Sequence, residues 1–387
     1  MVGLARIEPT AGARRALDLL ASSGLVAAQR LPADGGIANL VAEPTVFRRY
    51  RRGQGNAYRP SFASAWYRRV LARQDPTASL AHDLFIRFEP VDRGAVVDTF
   101  GAGFVDDALE CGLLEVIGSS LSARLGVYVH GEVPLVHHPP RLRSEDGYAY
   151  IGRATVFLLD AAVAEAERLA SRRPMERSLD IGTGGGYVAI ALGGHAVTSV
   201  GSDIDDDLVA FAAASAAALG RDNVEFVRSD ICRDIDGEFD LIAANPPQSI
   251  TDPAQHVAGT HDRGGYLGQE ILIRILDEAW DSLRDGGTMV VGYSSPVVNG
   301  RCLMHDDVER YFSHRAARVE VRELLADYYP EHGAFYRGVG ISRIIRGLLV
   351  IERGHPYSMT VTRPDPGSMR ASMVQTAVVR RLDRFAR

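Results

Sequence analysis

Four short stretches between residues 178 and 248 combine glycines, carboxylates and an amide at spacings that suit ligand chemistry. Residues 178–191 read SLDIGTGGGYVAIA, with Asp180 just ahead of Gly182, Thr183, Gly184 and Gly186. Alternate glycines let a backbone turn tightly and approach a ligand, and the following helix aims its N-terminus into the same space. Asp180 is placed to receive N–H groups in that turn or a ligand's amino group. Roughly 20 residues past the first glycine, Asp203 and Ile204 end a second apolar run, and Asp230-Ile231 follow a third. Asn245-Pro246-Pro247-Gln248 follows a fourth; each proline fixes its own φ and restricts the residue before it, giving a rigid loop. Gly184 to Ala189 also satisfies the permissive G-x-G-x-x-A form of the dinucleotide fingerprint, so NAD binding must be weighed as well.

The whole set decides between them. Asp-x-Gly-x-Gly at 180–184, an acidic end at Asp203, Asp230, and Asn-Pro-Pro at 245–247 resemble class I S-adenosylmethionine-dependent methyltransferases. Within these the chain is similar to the N-P-P-[Y/F] branch, which includes release-factor glutamine methyltransferases and some rRNA and DNA base N-methyltransferases. The resemblance covers about 178–351 and extends to Gly264-Gly-Tyr266-Leu-Gly268, which precedes a helix expected over 269–283. It implies S-adenosylmethionine as cofactor and S-adenosylhomocysteine as product. Asp203 would accept the ribose hydroxyls, while Asp205 and Asp206 are better placed to cap the next helix. Asp230 and Ile231 would hold the adenine, and Ile204 is counted among the cofactor-binding residues. An acceptor nitrogen donating to the Asn245 side-chain oxygen and the Pro246 carbonyl would direct its lone pair at the sulfonium methyl, a site that works by orientation. Asn245, Pro246, Pro247 and Gln248 are therefore the expected catalytic set.

Position 248 departs from the pattern. Relatives mostly place an aromatic there to stack on a planar acceptor, whereas Gln248 offers hydrogen bonds, which leaves nitrogen against oxygen or carbon methylation open. Tyr328, Tyr329, Phe335 and Tyr336 cluster with His332 in a later loop and, with Tyr266, are the candidate acceptor contacts.

The elements that must position these residues alternate. Strands are expected over 178–181, 197–202, 224–228, 239–244, 287–293, 318–324 and 341–351, with helices over 154–170 and 206–219 among those between them. The expected fold is α/β: a Rossmann-like, seven-stranded methyltransferase domain over 151–387, preceded over 1–150 by a mainly helical, winged-helix-like domain for substrate or dimerisation. In that first part a helix follows residue 12 and ends near Gly24. Another, over 104–116, breaks at Gly112 and leads into a strand, and 122–136 reads as a hairpin. Adjacent His137 and His138 point to opposite faces and are read as structural, not metal-binding; no metal site is expected.

Composition excludes several chemistries. The chain of 387 residues has no lysine, so its 43 basic residues are all arginine. A Walker P-loop, a Schiff-base enzyme and a lysine general base are thereby ruled out. Net charge is -6, which does not suit a body built to grip a nucleic-acid backbone. Arginines and aromatics interleave over 47–73, a stretch that packing, an acidic ligand or nucleic acid would each explain. Cys111, Cys232 and Cys302 are too scattered for a zinc knuckle or a disulfide framework. No apolar run suits a membrane span or a signal peptide, so a cytoplasmic protein is expected. The expected acceptor is a small molecule of natural-product type or a peptide-like group, with nucleic acid not expected and a homodimer compatible. The alternatives are a macromolecular acceptor, a release-factor glutamine or an rRNA base, and a cofactor-binding regulator without turnover.

Overall fold

The computed structural model describes residues 4–23, 75–139, 142, 147–250, 264–327 and 333–363. The segment 47–73, and with it Tyr328, Tyr329 and His332, lies outside the described residues.

In the N-terminal part, Thr10 caps the helix Ala11–Ser22, Asp75 caps Pro76–Ala81, and Asp92 caps Arg93–Phe100, each side chain accepting a backbone N–H of the first turn. Ala102–Glu110 follows, then Gly112 at φ 75° reverses the chain as its sequence predicts. Three strands, β1 (Val91–Asp92), β2 (Leu114–Ile117) and β3 (Ser120–Ala123), pair antiparallel in the order β1-β3-β2. The expected hairpin forms separately from β4 (Gly126–His130) and β5 (Val133–His137). His138 is 1% exposed and joins this part together. Its Nδ1 accepts from the Ala149 amide at 2.9 Å and its Nε2 donates to the Ala5 carbonyl at 2.7 Å. Burial pushes the neighbouring His137 ring down to about 4, so it is neutral at neutral pH.

The C-terminal part is the α/β fold. Its strands are β6 (Met175–Ile181), β7 (Ala196–Asp203), β8 (Val224–Arg228), β9 (Phe239–Ala244), β10 (Leu283–Val298), β11 (Arg301–Cys302), β12 (Ala317–Asp327), β13 (Ile341–Arg353) and β14 (Ser358–Thr362). The sheet runs β14-β12-β13-β10-β9-β6-β7-β8, with β11 a short pairing on β10. Seven of these are the expected Rossmann-like set. β13 is antiparallel to both neighbours, and β8, β7, β6, β9 and β10 are mutually parallel. β14 adds a parallel edge that was not among the expected strands. Every residue of β9 is buried, as a central parallel strand requires. Chain order reverses on either side of β6 and β9, so the crevice beyond their carboxyl ends is the topological switch point.

The helices Arg153–Ala170, Tyr187–Leu192 and Asp206–Ala218 pack on one face and Glu270–Glu278 and Leu303–Phe312 on the other. The helix expected over 269–283 is shorter, because Leu283 already pairs with Phe239 as the start of β10. One continuous core takes in Leu17, Phe85 and Leu135 from the N-terminal part together with Leu158, Phe211 and Leu241. The His138 ring lies 4.5 Å from that of Phe211 across this joint.

Candidate active site

Strand register builds the site. Ile181 of β6 pairs with Ala244 of β9, and Ala244 pairs with Val291 of β10. The next residues, Gly182 and Asn245, therefore leave the sheet side by side at its carboxyl edge, next to Gly292, which continues within β10. Gly182, Gly184 and Gly186 all have positive φ, at 67°, 54° and 81°. A β-carbon added to Gly182 or Gly184 would meet nothing within 4 Å, so open space faces that turn. Gly186, by contrast, must be glycine for packing: its β-carbon would fall 2.8 Å from that of Ala212.

Asp180 is 2% exposed and holds the turn from beneath. Its Oδ2 accepts the Thr183 hydroxyl at 2.6 Å and the Ala189 amide at 3.2 Å. Burial pushes its carboxyl up to about 7, with the Asp203 charge adding to the rise and these two hydrogen bonds opposing it. Asp203 accepts the Gly184 amide at 2.8 Å through Oδ2 and the Asp205 amide at 3.1 Å through Oδ1. Burial also raises the Asp203 carboxyl. A carboxylate has about four lone-pair positions, so acceptor capacity remains for hydroxyl donors. Asp205, as expected, caps the helix Asp206–Ala218.

Ile204 is 59% exposed beside Asp203, an aliphatic surface open to a planar ligand. Ile231 is not its counterpart. It is 7% exposed, sits in the core and adopts φ 64°, which is strained for a β-branched residue, while its carbonyl accepts the Ser202 hydroxyl at 2.8 Å. Asp230 is held by Arg274 at 2.9 Å and Arg233 at 3.2 Å, and Arg274 lowers its carboxyl below the usual range. The open turn, the Asp203 carboxylate and exposed Ile204 together fit a nucleoside-bearing ligand.

The Asn245–Gln248 loop is braced from two sides. A β-carbon at Gly264 would lie 2.7 Å from the Pro247 carbonyl oxygen, and one at Gly268 2.8 Å from that of Gln248. Gly264 and Gly268, two of the three glycines of this stretch, thus let two backbones touch. The Tyr336 hydroxyl donates to the Ile250 carbonyl at 3.0 Å, and its ring is fully buried with Ile341 and Ile344. This corrects the expectation that Tyr336 contacts an acceptor: it fixes the loop from behind. Phe335 is half-buried beside it, with ring centroids 6.0 Å apart. Tyr266 has its backbone in the 3-10 turn Tyr266–Gly268. Gln248 Nε2 donates to Asn245 Oδ1 at 3.2 Å.

Sequence reasoning passed over several residues of this site. Gly292 lies within a run of β-formers, and a β-carbon there would stand 3.1 Å from Asn245 Oδ1; an isolated glycine in a strand was the available signal. The buried Tyr187 folds back over Gly185, and burial raises its hydroxyl well above the ordinary range. Arg274, far along the chain, carried no local signal. Among the described residues no cluster of His, Cys, Asp and Glu has metal-binding geometry, and no helix is long and apolar enough to cross a membrane.

Residues 153–317 match the family model of the methyltransferase small domain. The α/β part is a class I S-adenosylmethionine-dependent methyltransferase domain, as the resemblance implied. The chain is 33% identical over 128 residues to the ribosomal protein uL3 glutamine methyltransferase of Xanthomonas campestris, covering 30% of this chain and 42% of that one. It is 38% identical over 101 residues to the release factor glutamine methyltransferase of Agrobacterium fabrum, covering 25% and 35%. Among solved structures, the 16S rRNA N2 G1207 methyltransferase of T. thermophilus, in complex with AdoMet and guanosine, aligns at 17% identity and a TM-score of 0.39 over 68% of this chain and 64% of that one. The chain spans less than half the length of either curated relative. The two curated relatives overturn the expectation of a small-molecule acceptor. By name the two curated relatives act on a ribosomal protein and on a release factor, a reading that acidic charge and Gln248 alone had weighted too lightly.

Proposed function

We propose that this protein transfers a methyl group from S-adenosylmethionine to the side-chain amide nitrogen of a glutamine in a protein of the translation machinery. The observation that carries the reading is the register that sets Asn245 beside the open Gly182–Gly186 turn, with Gly292 leaving room in front of its carboxamide. The names of the similar enzymes support the acceptor class.

In this reading the Gly182–Gly186 backbone, Asp203 and Ile204 hold the cofactor, which supplies a methyl group already activated by its positive sulfur. Asn245 Oδ1 and the Pro246 carbonyl accept the acceptor's two N–H groups. Holding both hydrogens in place would orient the nitrogen toward the methyl, with S-adenosylhomocysteine as the leaving group and one nitrogen-bound proton released to solvent, and such positioning contributes several kcal/mol, up to about 7–11. The braced loop matters because a misplacement of about 1 Å can cost about 100-fold in rate.

The test is incubation of the purified protein with methyl-labelled cofactor and fractionated ribosomal proteins and release factors, followed by peptide mass spectrometry. Label on a glutamine, lost with Asn245→Ala while S-adenosylhomocysteine still binds, is the expected result. Calorimetry without cofactor binding, or label undiminished by Asn245→Ala, would overturn it.

A further inference from the structure

Gln248 stands where similar enzymes carry an aromatic, and its side chain is neither free nor satisfied. Its Nε2 donates to Asn245 Oδ1 at 3.2 Å, occupying the oxygen that an acceptor nitrogen must reach. Its own Oε1 is buried and has no hydrogen-bond partner among the described residues. Gln269, 6% exposed at the end of the braced turn, repeats the pattern: Nε2 donates to the Ser294 carbonyl at 2.6 Å and Oε1 is buried without a partner. Gly292, whose β-carbon position faces both Asn245 Oδ1 and Gln248 Nε2, precedes Ser294 by two residues on β10, so both carboxamides lie over the end of one strand.

A buried oxygen left without a donor is costly, and a ligand that supplies the donor relieves that cost. We infer that Gln248 determines acceptor specificity by counting N–H donors. A planar group with an NH2 gives one hydrogen to Asn245 Oδ1, displacing the internal pair, and shares the other between the Pro246 carbonyl and Gln248 Oε1. A group of the same shape without N–H displaces the pair and leaves two oxygens bare. Carboxamide oxygens carry no net charge, so the site takes a neutral NH2, as in a primary carboxamide, over an ammonium. An aromatic at 248 would offer stacking area without this discrimination. The main chain of Gln248 is fixed by Gly264 and Gly268 while its side chain is half-buried, which lets the carboxamide exchange partners without moving the loop. The inference rests on the proposed methyl-transfer site.

The experiment compares two probes by calorimetry or ligand-observed NMR, with and without S-adenosylhomocysteine: N-acetylglutamine methylamide and its methyl-ketone analogue, in which CH3 replaces the side-chain NH2. The wild-type protein is expected to prefer the amide at least about tenfold. Gln248→Leu should reduce the preference to within about threefold, with unchanged melting temperature and cofactor-product affinity showing that the fold is intact. Gln248→Glu should shift preference toward a cationic probe, N-acetylornithine methylamide. No preference in the wild type, or a full preference in Gln248→Leu, overturns the inference. Discrimination between probes without any S-adenosylhomocysteine binding would sink the methyl-transfer reading and leave this one standing.

Discussion

The Asp203 carboxylate accepts the Gly184 amide at 2.8 Å, which ties the end of β7 to the middle of the glycine turn on β6. The two segments of the proposed cofactor site are therefore coupled, and a change at either reaches the other. Asp203→Ala should weaken S-adenosylhomocysteine binding by at least about tenfold, since it removes both a hydroxyl acceptor and the anchor of the turn, and hydrogen bonds to charged groups are worth about 1.5–3 kcal/mol. Titration calorimetry reads the loss, and an unchanged affinity would remove Asp203 from the site.

Asp180 predicts a pH dependence. Its folded-state value of about 7 lies above the ordinary 3.8, so between those pH values the folded state binds more protons than the unfolded one. Stability from this group is fully present below about pH 4 and is lost as pH rises through about 7. Urea unfolding at pH 5 and pH 8 should show the wild type losing more stability than Asp180→Asn over that interval. Parallel losses in the two proteins would refute the assignment.

Gly268 predicts a local effect on activity. Gly268→Ala forces a side chain into φ 71° and against the Gln248 carbonyl oxygen. Gly286→Ala meets the same strain at φ 75° with nothing within 4 Å. Each should lose about 1–2 kcal/mol of stability from the left-handed backbone. Only Gly268→Ala should also depress methyl transfer, measured as kcat at saturating cofactor, because only it displaces the Asn245–Gln248 loop.

Arg274 predicts a split between binding and stability. Its bridge to Asp230 is a third exposed on both sides, so Arg274→Ala should change unfolding stability by less than about 1 kcal/mol. Losing the group that orients Asp230 should still raise the dissociation constant of S-adenosylhomocysteine several-fold. A large drop in melting temperature with unchanged affinity would make the pair structural.

Much of this was legible in the chain. The strands carried their own signals: apolar runs for buried parallel strands, such as Leu241–Ala244, and glycines where the backbone turns. What escaped depends on partners distant in sequence. β14 alternates polar and apolar from Ser358 to Thr362, but the run is short, with Met359 and Val361 its only apolar positions, and its place at the sheet edge is set by pairing with β12. β10 runs on to Val298 through Pro296 because its antiparallel pairing with β13 continues there, although proline normally ends a strand. Tyr336 looked like an acceptor contact because aromatic density marks ligand loops; a carbonyl 86 positions away, at Ile250, claims its hydroxyl instead. The departure at Gln248 was visible, but its bond to Asn245 emerges only when both amides share one loop.

The continuous core across the two halves bears on how the protein would come apart. Leu158, Leu159 and Phe211 belong to the α/β helices yet share their contacts with Leu17, Leu20 and Leu135. His138 rivets this seam, and His138→Ala would strand the Ala149 amide and the Ala5 carbonyl, at about 1–3 kcal/mol for each group left buried. A shortened gene encoding only 151–387 would yield a protein with an oily flank, prone to clump in the tube. Heating the full chain should melt both halves in a single calorimetric peak, and two separate peaks would show that the seam is weaker than its packing implies.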